Sequence, residues 1–117
     1  MKISDSEMEI MKIIWAHDDA VTSAQIAEEL ETEWKITTIL TFLKRLDDKG
    51  IVSSEKIGKT NYYRALISEK QYTSQQTEEF LDQFHSGSVK NFLAALFGDK
   101  KPSGKDIEDI KQWFEEV

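Results

Sequence analysis

Trp34-Lys35-Ile36-Thr37-Thr38-Ile39-Leu40-Thr41-Phe42-Leu43-Lys44-Arg45-Leu46-Asp47-Asp48-Lys49-Gly50 reads as one amphipathic helix stopped by a glycine. At about 100° per residue its side chains sort into two faces. Ile36, Ile39, Leu40, Phe42, Leu43 and Leu46 share an arc of roughly 160°. Thr37, Thr38, Thr41, Lys44, Arg45 and Lys49 take the other side, with Asp48 as its one acid. Short hydroxyl side chains let a helix approach a nucleic-acid groove closely. Threonine also supplies a hydroxyl for a base edge or phosphate and a methyl for thymine. Lys44 and Arg45 suit phosphate oxygens. An ordinary surface helix with a solvated polar face would show the same pattern, so the helix alone does not separate the two readings. The flanking sequence favours the first.

Upstream, Ser4-Asp5-Ser6 offers N-cap residues with Glu7 and Glu9 in the turn that follows, and Met8, Ile10, Met11, Ile14 and Trp15 recur at helical spacing. This predicts a first helix over 5–16. His17-Asp18-Asp19-Ala20 reads as a turn, and Thr22 or Ser23 caps a second helix carrying Ala24, Ile26, Ala27 and Leu30. Two short helices followed by a longer one with a polar outer face fit a helix-turn-helix core. Downstream of Gly50, residues 51–56 and 61–67 read as strands joined by Ile57-Gly58-Lys59-Thr60, with Gly58 placed where positive φ is needed. A hairpin directly after the long helix is the wing of a winged helix. Lys56 and Lys59 then stand near its tip.

The charge distribution agrees. The 117-residue chain carries a net charge of −7, which argues against a generic polyanion binder. Residues 1–33 carry −7, residues 34–67 carry +4 and residues 68–117 carry −4. Only the helix and hairpin are net positive, which is where a nucleic-acid footprint is expected. The candidate DNA contacts are Lys35, Thr37, Thr38, Thr41, Lys44 and Arg45 on the helix, with Lys56 and Lys59 on the wing.

Residues 68–117 read as three further amphipathic helices. The first is capped by Ser68-Glu69 and bears Tyr72, Phe80, Leu81 and Phe84; the second carries Val89, Phe92, Leu93, Leu96 and Phe97; the third is capped by Ser103 and carries Ile107, Ile110, Trp113, Phe114 and Val117. Ser86-Gly87-Ser88 and the turn from Gly98 to Pro102 separate them. Such a unit is too small to close a core alone. It can fold back on the winged domain or pair with a second copy, and its long aromatic stripes favour the second. The expected dimer contacts are Tyr72, Phe80, Leu81, Phe84, Val89, Phe92, Leu93, Leu96, Phe97, Ile107, Ile110 and Phe114. The fold class expected is mainly α (α+β): a winged helix-turn-helix domain over 1–67 and a helical dimerisation domain over 68–117.

The ordered set Ile3-Ser4-Asp5-Ser6-Glu7, Ile14-Trp15, Trp34, Thr38-Ile39, Thr41-Phe42-Leu43, Arg45-Leu46, Lys49-Gly50, Tyr63 and Leu66 resembles the penicillinase-repressor (BlaI/MecI/CopY) family of winged-helix transcriptional repressors. The resemblance covers nearly the whole chain. It implies a homodimer on a palindromic promoter operator, often with TACA and TGTA half-sites, intertwined C-terminal helices and no catalysis. It carries Thr38, Thr41 and Arg45 over as recognition-helix contacts. Thr37 and Leu40 stand where such proteins often have basic residues, and Ala65 where they often have proline. Leu40 is expected to extend the core, with a thymine-methyl contact as the alternative. In the β-lactam branch of the family a sensor protease cuts the dimerisation region, commonly at an Asn-Phe bond. This chain has Asn91-Phe92, although counting back from Ser103 puts the corresponding bond nearer Ala95-Leu96. The copper-responsive branch carries a Cys-x-Cys cluster, which is absent here.

With no cysteine, the chain has neither a disulfide framework nor a thiolate metal site. No signal-like N-terminus and no membrane-length apolar run is present, so a soluble cytoplasmic protein without cofactors or membrane contact is expected. His17 and His85 are the only histidines, and the acid pairs Asp18-Asp19, Glu28-Glu29 and Asp47-Asp48 are sequence neighbours that point apart. An enzyme is not expected. The alternative function is a winged-helix protein-interaction module without specific DNA binding. Such a module would show exposed apolar residues on the face of residues 37–45.

Overall fold

The computed structural model describes residues 2–98 and 102–116. The element order is α1 (Asp5–Ala16), β1 (Val21–Thr22), α2 (Ser23–Glu29), α3 (Ile36–Asp48), β2 (Val52–Ile57), β3 (Thr60–Ala65), α4 (Glu69–His85), α5 (Val89–Phe97) and α6 (Gly104–Glu116). The chain divides into two compact units, Met1–Gln76 and Thr77–Val117.

The first unit is a helix-turn-helix core closed by a three-stranded antiparallel sheet of order β1-β3-β2. Each early helix opens on a reciprocal cap. Ser4 Oγ accepts from the Glu7 amide at 3.2 Å while Glu7 returns to the Ser4 amide, and Thr22 and Gln25 do the same for α2. Ile10, Met11 and Ile14 of α1 meet Ile26 of α2 and Ile39, Leu43 and Leu46 of α3 in a fully enclosed core, floored by Val21, Val52 and Tyr63 of the sheet.

The hairpin is tighter than the sequence pattern indicates. Ile57 faces Thr60, so Gly58 and Lys59 alone make the turn. Gly58 has φ +64° and Lys59 does not share that sign, the arrangement of a two-residue turn with glycine first. Strand β1 was not anticipated. Its two residues pair with Tyr62 and Tyr63 of β3, and two residues are too few to show an alternating pattern.

Three expectations are corrected. The buried stripe of α3 is only Ile39, Leu43 and Leu46, at i, i+4 and i+7, whereas Ile36 and Leu40 are 43% and 38% exposed. Leu40 therefore does not extend the core. The helix meets its neighbours along a narrow seam, and the edge of a broad apolar arc lies outside it. Lys49 does not belong to the outward basic face. Its ammonium is 2.5 Å from the carboxylate of Glu7, which is 1% exposed, and it also donates to the Lys2 carbonyl. Tyr72 is not available to a dimer interface. It is buried in the first unit, where its hydroxyl accepts from the Ile3 amide at 2.8 Å. This packing draws the start of α4 into the first compact unit, which runs to Gln76.

In the second unit no described residue is buried. Phe80 stacks near Phe84 at 5.0 Å and meets Phe92 edge-on at 6.1 Å, and Trp113 meets Phe114 at 5.0 Å. Phe84, Val89, Leu96, Ile107, Trp113 and Phe114 remain largely open. The helical break between α4 and α5 carries Ser86 and Gly87 at positive φ. His85 Nδ1 lies 2.7 Å from Asn91 Oδ1, and the Asn91 amide donates to the capping Ser88 Oγ at 3.0 Å.

Candidate nucleic-acid interface

Helix α3 is held from behind and left open in front. Its seam of Ile39, Leu43 and Leu46 anchors it to α1 and α2, and Trp34 covers Phe42 with ring centroids 5.2 Å apart. At its C-terminal end, Asp47 accepts from Ser54 Oγ of β2 at 3.3 Å, which ties the helix to the base of the wing. Trp15 Nε1 donates to the Ile67 carbonyl at 2.9 Å and fixes the far end of the hairpin to α1. The wing and the helix are thus braced by one frame.

The outward face of α3 presents Thr37, Thr41, Lys44 and Arg45, all exposed, with Lys35 at its N-cap. Thr38 is only half-exposed, at the border with the Phe42 side. The Thr41 hydroxyl donates to the Thr37 carbonyl at 2.9 Å, so toward a ligand it offers oxygen lone pairs and its methyl group. Arg45 lies over the Phe42 ring, 5.4 Å from the centroid, which limits the rotamers its guanidinium samples. Lys44 reaches Asp48 at 3.5 Å in an exposed i,i+4 pair that water screens and a phosphate can replace. Lys56 and Lys59 are exposed at the distal end of the hairpin.

The segment's other two cations are Lys49 and Arg64. Lys49 is engaged by Glu7, and Arg64 lines a shallow hollow with His17, Asp18 and Asp19. Burial alone would raise the Glu7 carboxyl. The hydrogen bond from Lys49, those from the Ser4 amide and hydroxyl, and the Lys49 charge outweigh it and hold the group below its ordinary value. Its second oxygen, Oε2, is buried with no hydrogen-bond partner. The sequence pattern places Glu7 as an acid in the first helical turn and does not reveal this ion pair, whose partners are 42 positions apart. His17 meets Glu29 at 2.7 Å, a surface contact that accounts for both side chains.

Among the described residues no group of three or more His, Cys, Asp or Glu side chains could hold a metal ion, and no helix is long and apolar enough to cross a membrane. What the face can do chemically is bind phosphate through cations and meet base edges through hydroxyl and methyl groups.

The sequence model of the penicillinase repressor family matches residues 3–116. The penicillinase repressor of Bacillus licheniformis is 34% identical over 116 residues, covering 98% of this chain and 91% of that protein. The methicillin resistance regulatory protein MecI of Staphylococcus aureus is 30% identical over 112 residues, covering 94% and 90%. Among solved structures, the monomeric form of Bacillus licheniformis BlaI in complex with the blaP half-operator superposes with a TM-score of 0.52 at 36% identity, covering 62% of this chain and 89% of that one.

Proposed function

Because the chain belongs to the penicillinase repressor family, we propose that it acts as a homodimer that represses transcription from a palindromic promoter operator. The family is one of DNA-binding transcriptional repressors, and the protein is not an enzyme. The observation that carries the reading is the outward face of α3. In a chain of net charge −7, the net-positive segment is folded so that Thr37, Thr41, Lys44 and Arg45 point away from the core beside the exposed lysines of the wing.

Each winged unit reads one half-site, with α3 in the major groove and Lys56 and Lys59 on the flanking backbone. Thr38 contributes from the edge of the face. The second unit joins two copies. Its helices bury no described residue in the single chain, and a unit of that size needs a partner to remove its apolar surface from water. Phe80, Leu81, Phe84, Val89, Phe92, Leu93, Leu96, Phe97, Ile107, Ile110 and Phe114 form the interface. Trp113, 58% exposed beside Phe114, belongs to it as well.

Induction by a sensor protease fits the same region. Asn91 and Phe92 are held at the helix elbow by His85 and Ser88, whereas Ala95 and Leu96 are exposed on α5. A cut at either bond would split the apolar stripe of α5 and detach α6, leaving a winged fragment with weak dimer contacts. Ile36 and Leu40, exposed on α3, are the one feature that speaks for a protein-docking surface instead. The cations around them speak for DNA.

The test is a gel shift of the protein on its own promoter fragment, followed by footprinting of the shifted species. A symmetric footprint of two half-sites is expected. Absence of any shift at low salt would refute the reading. Mass spectrometry of the repressor after induction in its host is expected to show a fragment ending between residues 91 and 95; a full-length protein with its target genes switched on would exclude the protease.

A further inference from the structure

We propose that Ile36 and Leu40 are specificity residues that read thymine 5-methyl groups in the major groove. The inference rests on the DNA-binding reading above and names what that reading recognises. Ile36 is the first residue of α3 and Leu40 lies one turn further, so the two side chains adjoin on one stripe of the helix. They are 43% and 38% exposed in a unit whose other α3 aliphatics, Ile39, Leu43 and Leu46, are fully enclosed. The N-terminal half of a recognition helix is the part that meets base edges. Single exposed aliphatics are ordinary, but a pair at i,i+4 next to the exposed Thr37, Thr41 and Lys44 is a shaped surface.

The occupant follows from the chemistry around the pair. Lys35 and Lys44 flank it, on the net-positive segment of an otherwise acidic chain, which selects a polyanion over an apolar peptide. The outward side chains of the first two turns, Ile36, Thr37, Leu40 and Thr41, include no arginine, asparagine, glutamine or acid, the groups that make bidentate contacts to guanine, adenine or cytosine. Thr41 has already committed its proton to the Thr37 carbonyl. The feature of a major-groove edge that the aliphatic pair itself can distinguish is the 5-methyl of thymine. An aliphatic side chain removes that methyl from water and gains nothing from a base that lacks it. Covering one methyl corresponds to about a fourfold change in affinity, or about fifteenfold when both half-sites contribute.

The test pairs a protein atom group with a DNA atom group. Duplexes are selected from a random library by the full-length protein, and the winning duplex is the probe. Thymines are then replaced by deoxyuridine one base pair at a time, which deletes the methyl and leaves Watson–Crick pairing intact. Affinities are measured for the wild type, Leu40→Ala and Ile36→Ala, with circular dichroism to confirm folding. Uracil at one or more positions in each half-site should weaken the wild type about fourfold per methyl. The matching alanine variant should lose a similar factor on the thymine duplex and no longer distinguish the two bases there. Wild-type affinity that stays within about twofold on every uracil duplex would overturn the inference while leaving DNA binding intact. Alanine variants that keep full sensitivity to uracil would assign the methyl to another side chain. Failure to select any duplex would remove the DNA-binding reading itself, and this inference with it.

Discussion

Replacing Lys49 by methionine tests whether α3 is held by the buried ion pair at its C-terminal end. Glu7 is 1% exposed and Lys49 27%, so the substitution leaves an almost fully enclosed carboxylate facing an apolar side chain. Glu7 Oε2 already lacks a partner, and the carboxylate would retain only its hydrogen bonds with Ser4. Breaking a buried pair from one side costs about 3–5 kcal/mol, and the partial exposure of Lys49 places this one near the lower bound. About 3 kcal/mol is a large share of what a domain of this size holds, and corresponds to a fall in Tm of roughly 12–24 °C. Glu7→Gln removes the charge and lets Lys49 turn to water, so it should cost only about 1–2 kcal/mol. The pH dependence has a definite sign. The folded-state pKa of Glu7 lies below its ordinary value of 4.5, so the unfolded chain takes up the proton first on acidification. The pair's contribution is complete above about pH 4.5 and is lost as pH falls through the lower folded value. Urea melts at fixed protein concentration, from pH 7 to pH 3, measure both effects. A loss under about 1 kcal/mol for Lys49→Met, or a greater cost for Glu7→Gln than for Lys49→Met, would refute the argument. Because Lys49 faces inward, its replacement should also leave the salt dependence of DNA binding unchanged.

Arg45→Ala should weaken specific and nonspecific duplex alike and lower the slope of log affinity against log salt by about one, as read by fluorescence anisotropy from 50 to 200 mM salt. Phe84→Asp or Phe114→Asp, each at an aromatic ring about 61% exposed in the single chain, should yield monomers by sedimentation. These should retain a folded winged unit and lose a factor of about 10²–10⁴ in operator affinity. Gly58→Ala should cost about 1 kcal/mol in thermal melts, since the space around it is open but φ +64° is strained for any residue with a Cβ.

Much of the winged unit was legible because its signals are local. Ser4 and Thr22 cap helices with acceptors three residues on, Gly50 takes the positive φ that ends α3, and Gly58 turns the hairpin. Each of these depends on residues within one turn of chain. The three misreadings share the opposite property. Lys49 was placed on the polar face because its angle on the helix puts it there, yet a four-carbon stem lets its ammonium swing to a carboxylate 42 positions upstream. Tyr72 carried the same apolar signature as Phe80 and Phe84, but its hydroxyl finds the Ile3 amide, 69 positions away, and that bond assigns it to the first unit. Neither partner is marked by spacing.

Ile36 and Leu40 show the same limit more sharply, and they bear on function. A helical wheel reports that a face is apolar; how much of that face the fold covers depends on the width of the seam. In α3 the seam is three residues wide along the axis and one residue wide around it, so two aliphatics remain outside among cations and hydroxyls. In α5 and α6 the same kind of stripe is at most half-covered. The two cases differ in what surrounds the open apolar groups. Around Ile36 and Leu40 the flanking charges are Lys35 and Lys44, which on the proposed reading match a polyanion that also offers methyl groups. Around Phe84, Leu96 and Phe114 the flanking charge is net acidic, as it is over all of residues 68–117, which repels DNA. A second copy presenting the same aromatic stripe can cover that surface without bringing in phosphate. Apolar patterning therefore states that a surface will be covered, and the charge beside it selects between nucleic acid and protein as the cover.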